Sequence, residues 1–111
     1  MALYTSAATL GETTTVYSAT NETSGTAYVA GGNTLAGQVV TSSGNTAYVD
    51  FSDSTWVASS FTARGALIYN STAANKAIIV LDFGSDKTSS VSDFVVTFPS
   101  ADATNAILRL Q

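Results

Sequence analysis

Four carboxylates of this chain fall in two short stretches that could do chemistry: DFSDS, with Asp50 and Asp53, and DFGSD, with Asp82 and Asp86. Two carboxyl groups that close can divide the acid and base work of glycoside hydrolysis, or help to gather a calcium ion. Each pair also flanks a tight turn, where Asp is common because its side chain bonds local backbone. Neither stretch has the alternating ligands, central Gly and closing Glu of an EF-hand loop. The chain has no His and no Cys, so an imidazole base, a thiolate nucleophile and disulfides are all ruled out. Gly31-Gly32-Asn33 follows one β-like run and precedes another, so it does not open a helix and makes no phosphate cradle. The chain therefore reads as a non-enzyme that needs neither cofactor nor metal.

Residues suited to binding are easier to find. Tyr28, Tyr48 and Trp56 could form an aromatic platform for sugar rings or a hot spot for a protein partner, because amphipathic rings suit both. Their plain alternative is cross-strand pairing inside a sheet. All four cations, Arg64, Lys76, Lys87 and Arg109, lie in the C-terminal half. They form no basic patch that could track phosphates, so nucleic acid is not an expected partner. Arg64 and Lys76 stand on the most apolar stretch, ARGALIYNSTAANKAIIVLDFG, where Arg64 can satisfy a carboxylate bidentately in its own chain or in a neighbour. Asn21 and Asn70 begin glycosylation-like triplets, which read as turns.

The elements that must carry these residues are strands. Short β-rich runs are spaced by clusters of Gly, Asn, Asp, Ser and Thr, the pattern of a sandwich or barrel. Strands are predicted at 13–18, 26–30, 34–41, 46–51, 55–58, 61–69, 76–83, 93–98 and 106–110, with residues 1–12, which hold Leu3 and Tyr4, as an N-terminal arm. The expected fold is all-β, a single-domain antiparallel β-sandwich over 13–111, jelly-roll-like or Ig-like. SGTAYV and GNTAYV, twenty residues apart, read as two neighbouring strands that solve one packing problem. The predicted core is Phe94, Val96 and Phe98, with Ala106, Leu108 and Leu110 and with Ala77, Ile79, Leu81 and Phe83, each set on one strand face. Residues 61–69 and 76–83 are apolar on both faces, as in a strand buried centrally or beneath a partner.

Only 11% of residues are charged, against about 25% in an ordinary soluble domain. Surface covered in an assembly would account for that, since interface cores are poor in charge; a Ser/Thr-coated monomer would too. The longest aliphatic run, Ala77 to Leu81, is far short of the roughly 20 residues needed to span a bilayer as a helix, so no membrane association is expected. MALYTSAATLGETT lacks the basic and apolar regions of a secretory leader, and none is expected.

At ARGALIYN, ANKAIIVLDFG, DFVVTFP and AILRL, residues 63 to 110 resemble small virion proteins of tailed bacteriophages and cyanophages, in particular capsid decoration or cement proteins. The resemblance implies a β-rich, non-enzymatic protein made in the host cytoplasm. It would sit on the outer capsid surface, often as a homotrimer, and clamp subunits of the major capsid protein. No single functional residue carries over, because the matching segments look like strands. Leu3, Tyr4, Tyr28, Tyr48, Trp56, Arg64 and Lys76 are the expected interface residues; a carbohydrate-binding or fibre-like virion surface module is the alternative.

Overall fold

A computed structural model describes residues 1–99 and the backbone of 108–110. The chain is all-β, with strands β1 (Ala2–Tyr4), β2 (Val39–Ser43), β3 (Thr46–Asp50), β4 (Ser54–Asn70), β5 (Lys76–Val96) and β6 (Leu108–Leu110). Two antiparallel sheets result, in the orders β1-β4-β5 and β2-β3-β6. The chain is organised as two compact units: Met1–Asn33 with Trp56–Phe94, and Thr34–Thr55 with Val95–Gln111.

The first unit is built on a long hairpin, β4 and β5 joined across residues 71–75. Asn70 Oδ1 caps that turn by accepting from the Thr72 amide at 3.0 Å and the Thr72 hydroxyl at 2.7 Å. Ala63, Ala66, Leu67 and Ile68 are all buried, so β4 is covered on both faces, as its two-sided apolar pattern requires. The predicted strands 55–58 and 61–69 merge into β4, and 76–83 and residues 93–96 of the predicted 93–98 merge into β5. The stretch Gly84–Ser92 has the composition of a turn but continues as strand, because its hydroxyls have partners on β4. Ser59 Oγ lies 2.8 Å from Ser89 Oγ in a buried pair, and the Thr62 and Thr88 hydroxyls lie 2.8 Å apart. Cross-strand hydroxyl pairs of this kind outweigh a weak local propensity.

The hairpin is not regular. Arg64 reaches Asp82 while Thr62 reaches Thr88, so two steps along β4 correspond to six along β5. The surplus residues surround Gly84, whose φ of 81° lies in the left-handed region. Ala58 (φ 50°) and Val91 (φ 47°) mark further kinks inside the two strands.

Residues 1–12 are not simply an arm. Ala2, Leu3 and Tyr4 pair with Leu67, Ala66 and Gly65 and are buried together with Met1. Three residues are too few to show a strand period, so only the pairing reveals them. Gly65 allows a close approach on the other side of β4, where a Cβ would sit 2.7 Å from the Leu81 carbonyl oxygen. Tyr17, Tyr69, Leu10, Ala8, Ala77 and Val80 pack around Ala2, Tyr4 and Leu67.

Segments 13–18 and 26–30 are not strands; they touch the hairpin through single bridges, Val16 to Lys76 and Thr26 to Ser60. The left-handed φ of Ala27 (68°) breaks any alternation through SGTAYV, so that segment and β3 are not neighbouring strands that share one solution. Phe94 and Phe98 are buried as predicted, Val96 is half-buried, and so are Ala77, Ile79, Leu81 and Phe83. The deeper core is Leu3, Tyr4, Trp56, Phe61 and Leu67, which lie on β1 and β4. Ala106 lies outside the described residues, as do the side chains of Leu108 and Leu110.

In the second unit β2 and β3 form a tight hairpin, Ser43 facing Thr46 across Gly44 (φ 58°) and Asn45. β2 starts at Val39, so only the end of the predicted 34–41 run is strand. β6 pairs with β3 through Leu108 to Leu110, and Phe51 packs on Phe98 with ring centroids 5.9 Å apart.

Two glycines of the first unit share nearly the same backbone angle but not the same surroundings. Gly32 (φ 76°) lies against the Met1 carbonyl, whereas a Cβ on Gly84 (φ 81°) meets nothing. Gly84→Ala should cost about 1 kcal/mol of left-handed strain, and Gly32→Ala about 2 kcal/mol more because Met1 must move. Urea denaturation of the two variants measures the difference; equal losses would mean that the contact with Met1 is not tight.

Candidate functional site

The two cations on the apolar hairpin have different surroundings. Arg64 extends from β4 to β5, where its Nε donates to Asp82 Oδ1 at 3.1 Å; this is the one ion pair among the described residues. The same oxygen accepts the Gly84 amide at 2.8 Å. That amide, and then the guanidinium, hold the Asp82 carboxyl below the usual carboxylate range. Both partners are well exposed, so the pair contributes little to stability. It edges a groove of about 280 Å³ bounded by Tyr4, Thr5, Leu10, Val80 and Leu81. Lys76 is exposed at the start of β5, and residues 15–17 run beside it: Ala77 donates to the Thr15 carbonyl at 3.0 Å and Tyr17 to that of Asn75 at 2.9 Å.

The aromatic candidates do not form a platform. Trp56 is 3% exposed and stacks on Tyr28 at 6.2 Å, with Phe61 and Phe94 edge-on to it at 6.2 and 6.0 Å. These rings are used up in the core of the first unit, while Tyr48 lies half-buried on β3 in the second. Leu3 and Tyr4 are likewise interior, which corrects their reading as interface residues: a buried side chain presents nothing to a partner. Of the predicted set, Lys76 is exposed, and Arg64, Tyr28 and Tyr48 are half-buried, with the Arg64 side chain reaching solvent.

The carboxylate pairs are also divided among other tasks. Asp53 Oδ1 accepts the Phe98 amide at 2.9 Å, while Asp50 Oδ1 is buried without a hydrogen-bond partner among the described residues. Asp82 is committed to Arg64 and Gly84, and Asp86 is exposed. Among the described residues no three acidic groups gather as they would around a metal ion.

A residue without an obvious motif organises the site's surroundings. Glu22 Oε2 accepts the Tyr17 hydroxyl at 2.6 Å; Glu22 Oε1 accepts the Tyr28 hydroxyl at 2.6 Å and the Gly31 amide at 2.7 Å. Tyr28 in turn accepts the Leu3 amide at 2.9 Å, and Tyr69 donates to the Gly31 carbonyl at 2.8 Å while stacking on Tyr17 at 4.8 Å. The Met1 amino group donates to the Asn33 carbonyl at 2.6 Å. Burial lowers the proton affinity of that amine, with Glu22 opposing the shift. Burial, and then the hydrogen bonds to Glu22, push the Tyr17 and Tyr28 hydroxyls far up; burial also raises Tyr4 and Tyr69. The only sequence signal for this centre is that Glu22 is one of just two glutamates.

Short hydrogen bonds to a charged acceptor contribute about 1.5–3 kcal/mol each, so Glu22→Ala should destabilise the chain by about 3 kcal/mol in chemical denaturation. The tyrosines keep their protons to higher pH when folded than when unfolded. Their contribution is therefore complete below about pH 10, the unfolded value, and is lost as pH rises toward the folded values. Stability measured above about pH 9, where the terminal amine is already neutral, should fall with pH. The fall should be smaller in Glu22→Gln; equal slopes would remove Glu22 as its source.

No family model, curated protein or solved structure matches this chain.

Proposed function

We propose that this chain is a structural virion protein that decorates the capsid of a tailed phage by binding the outer surface of its major capsid protein subunits. The observation that carries the reading is the outer surface of the β4–β5 hairpin. It exposes Val57 (66%), Ile78 (52%) and Val91 (81%), and its one ion pair among the described residues, Arg64 with Asp82, is screened by solvent. Val91 is β-branched and sits at φ 47°, a conformation that costs about 1–3 kcal/mol and persists where the surroundings or the function require it. Its amide is held by the Ser60 hydroxyl at 2.9 Å, and Asp93 Oδ1 fixes the facing Ala58 amide at 3.0 Å. A strained backbone that projects a valine into water fits a contact completed by another protein. The resemblance of residues 63–110 to decoration proteins supplies the identity of that protein. The sandwich topology, jelly-roll-like or Ig-like, belongs to the same proposal and rests on that resemblance and on the strand spacing.

Binding to assembled shells of the virus that encodes the chain, followed by co-sedimentation, should be saturable. Val91→Gly should stabilise the free protein by about 1 kcal/mol through relief of left-handed strain and yet weaken attachment. Arg64→Ala should weaken attachment with β-content intact by circular dichroism. Absence of saturable binding by the unmodified chain would overturn the proposal.

A further inference from the structure

A second surface lies on the other unit. Every residue of β2 is exposed, and among the described residues its only strand neighbour is β3. In an antiparallel pair alternate residues turn their N–H and C=O groups away from the partner, so the free side of β2 is a row of open donors and acceptors. Such edges are ordinarily protected by Lys, Pro, a bulge or a covering segment. β2 reads Val-Val-Thr-Ser-Ser, no charged residue occurs between Glu22 and Asp50, and the one proline is Pro99. Its register with β3 runs without interruption from Val39–Asp50 to Ser43–Thr46, so no bulge turns the edge aside.

We propose that β2 pairs antiparallel with β2 of a second copy of this chain, centred on Thr41, to join two three-stranded sheets into one of six strands. An antiparallel edge is complementary to itself: a two-fold rotation brings each outward N–H opposite an outward C=O of the identical strand. With Thr41 on the axis, Val40 faces Ser42 and Val39 faces Ser43 of the other copy. All are uncharged, so the rotation doubles no like-charge contact, and β-branched Thr and Val suit such pairs. Val40, 66% exposed, gains cover in the pairing. A charged partner strand would find no counter-charge along this edge, which favours a second copy over an acidic or basic peptide. Five residues make a small interface, so association is weak and concentration-dependent. The contact closes at two copies, unlike the threefold association implied by the resemblance, and it does not depend on attachment to a shell.

The chain contains no cysteine, so a single introduced thiol can form only intermolecular disulfides. Thr41→Cys places two thiols across the axis, where the spacing of facing strand residues suits a disulfide. Under mild oxidation it should form covalent dimer at least about tenfold faster than Val57→Cys, an exposed control on β4, because pairing raises the effective concentration. In sedimentation equilibrium Thr41→Lys and Thr41→Glu should each be monomeric, and an equimolar mixture should associate again. Cross-linking no faster than the control, or a mixture no heavier than its components, would overturn the pairing. Shell co-sedimentation of Thr41→Lys reads the decoration role separately, since that role uses the hairpin of the other unit.

Discussion

Burial of the first strand is the constraint on which the larger unit depends. Taking Met1–Tyr4 out of water buries their backbone and, in part, the Met1 amino group, and that is costly unless polar partners are provided. They come from the loop that follows: Asn33 for the amine, Tyr28 for the Leu3 amide, and Glu22 to hold Tyr28 and Gly31 in place. With the loop fixed, Gly32 can lie on Met1, and Tyr17 and Tyr69 close over the apolar cluster. Thus a segment without regular secondary structure does the work of a covering layer, and a half-buried carboxylate keeps it there.

What the sequence shows plainly is what repeats locally. The two-sided apolar pattern of 61–69 identifies a covered strand, and the triplet that begins at Asn70 reads as the turn after it. The rest depends on contacts made far along the chain. Gly84 to Ser92 resembles a loop until Ser59 and Thr62 are set opposite Ser89 and Thr88, and Leu3 resembles an arm until Ala66 is set beside it. The site was legible to the same extent. Arg64 stood out as a cation in an apolar strand, and its partner Asp82 appeared only as half of a possible catalytic pair. Glu22 carried no motif, because four tyrosines spread from residue 4 to residue 69 converge near it only after folding.

The two units differ in how they treat their polar backbone. The first lays loop segments against β1 and against the start of β5, and leaves apolar side chains outside. The second leaves backbone itself at the edge, in a stretch with no charge to keep other strands away. The described surface thus has two chemically distinct regions, one of apolar side chains and one of strand-edge backbone.

Trp56 is the chain's single tryptophan, and it sits among Tyr28, Phe61 and Phe94 with its indole N–H buried and without an acceptor among the described residues. Its emission is accordingly a spectroscopic label, already in place, for the interior of one unit only. The unit that carries Tyr48, Phe51 and Phe98 contributes no indole signal. Tryptophan fluorescence thus observes the first unit and far-ultraviolet dichroism the backbone of both, and whether their transitions coincide shows whether the two units unfold together or one after the other.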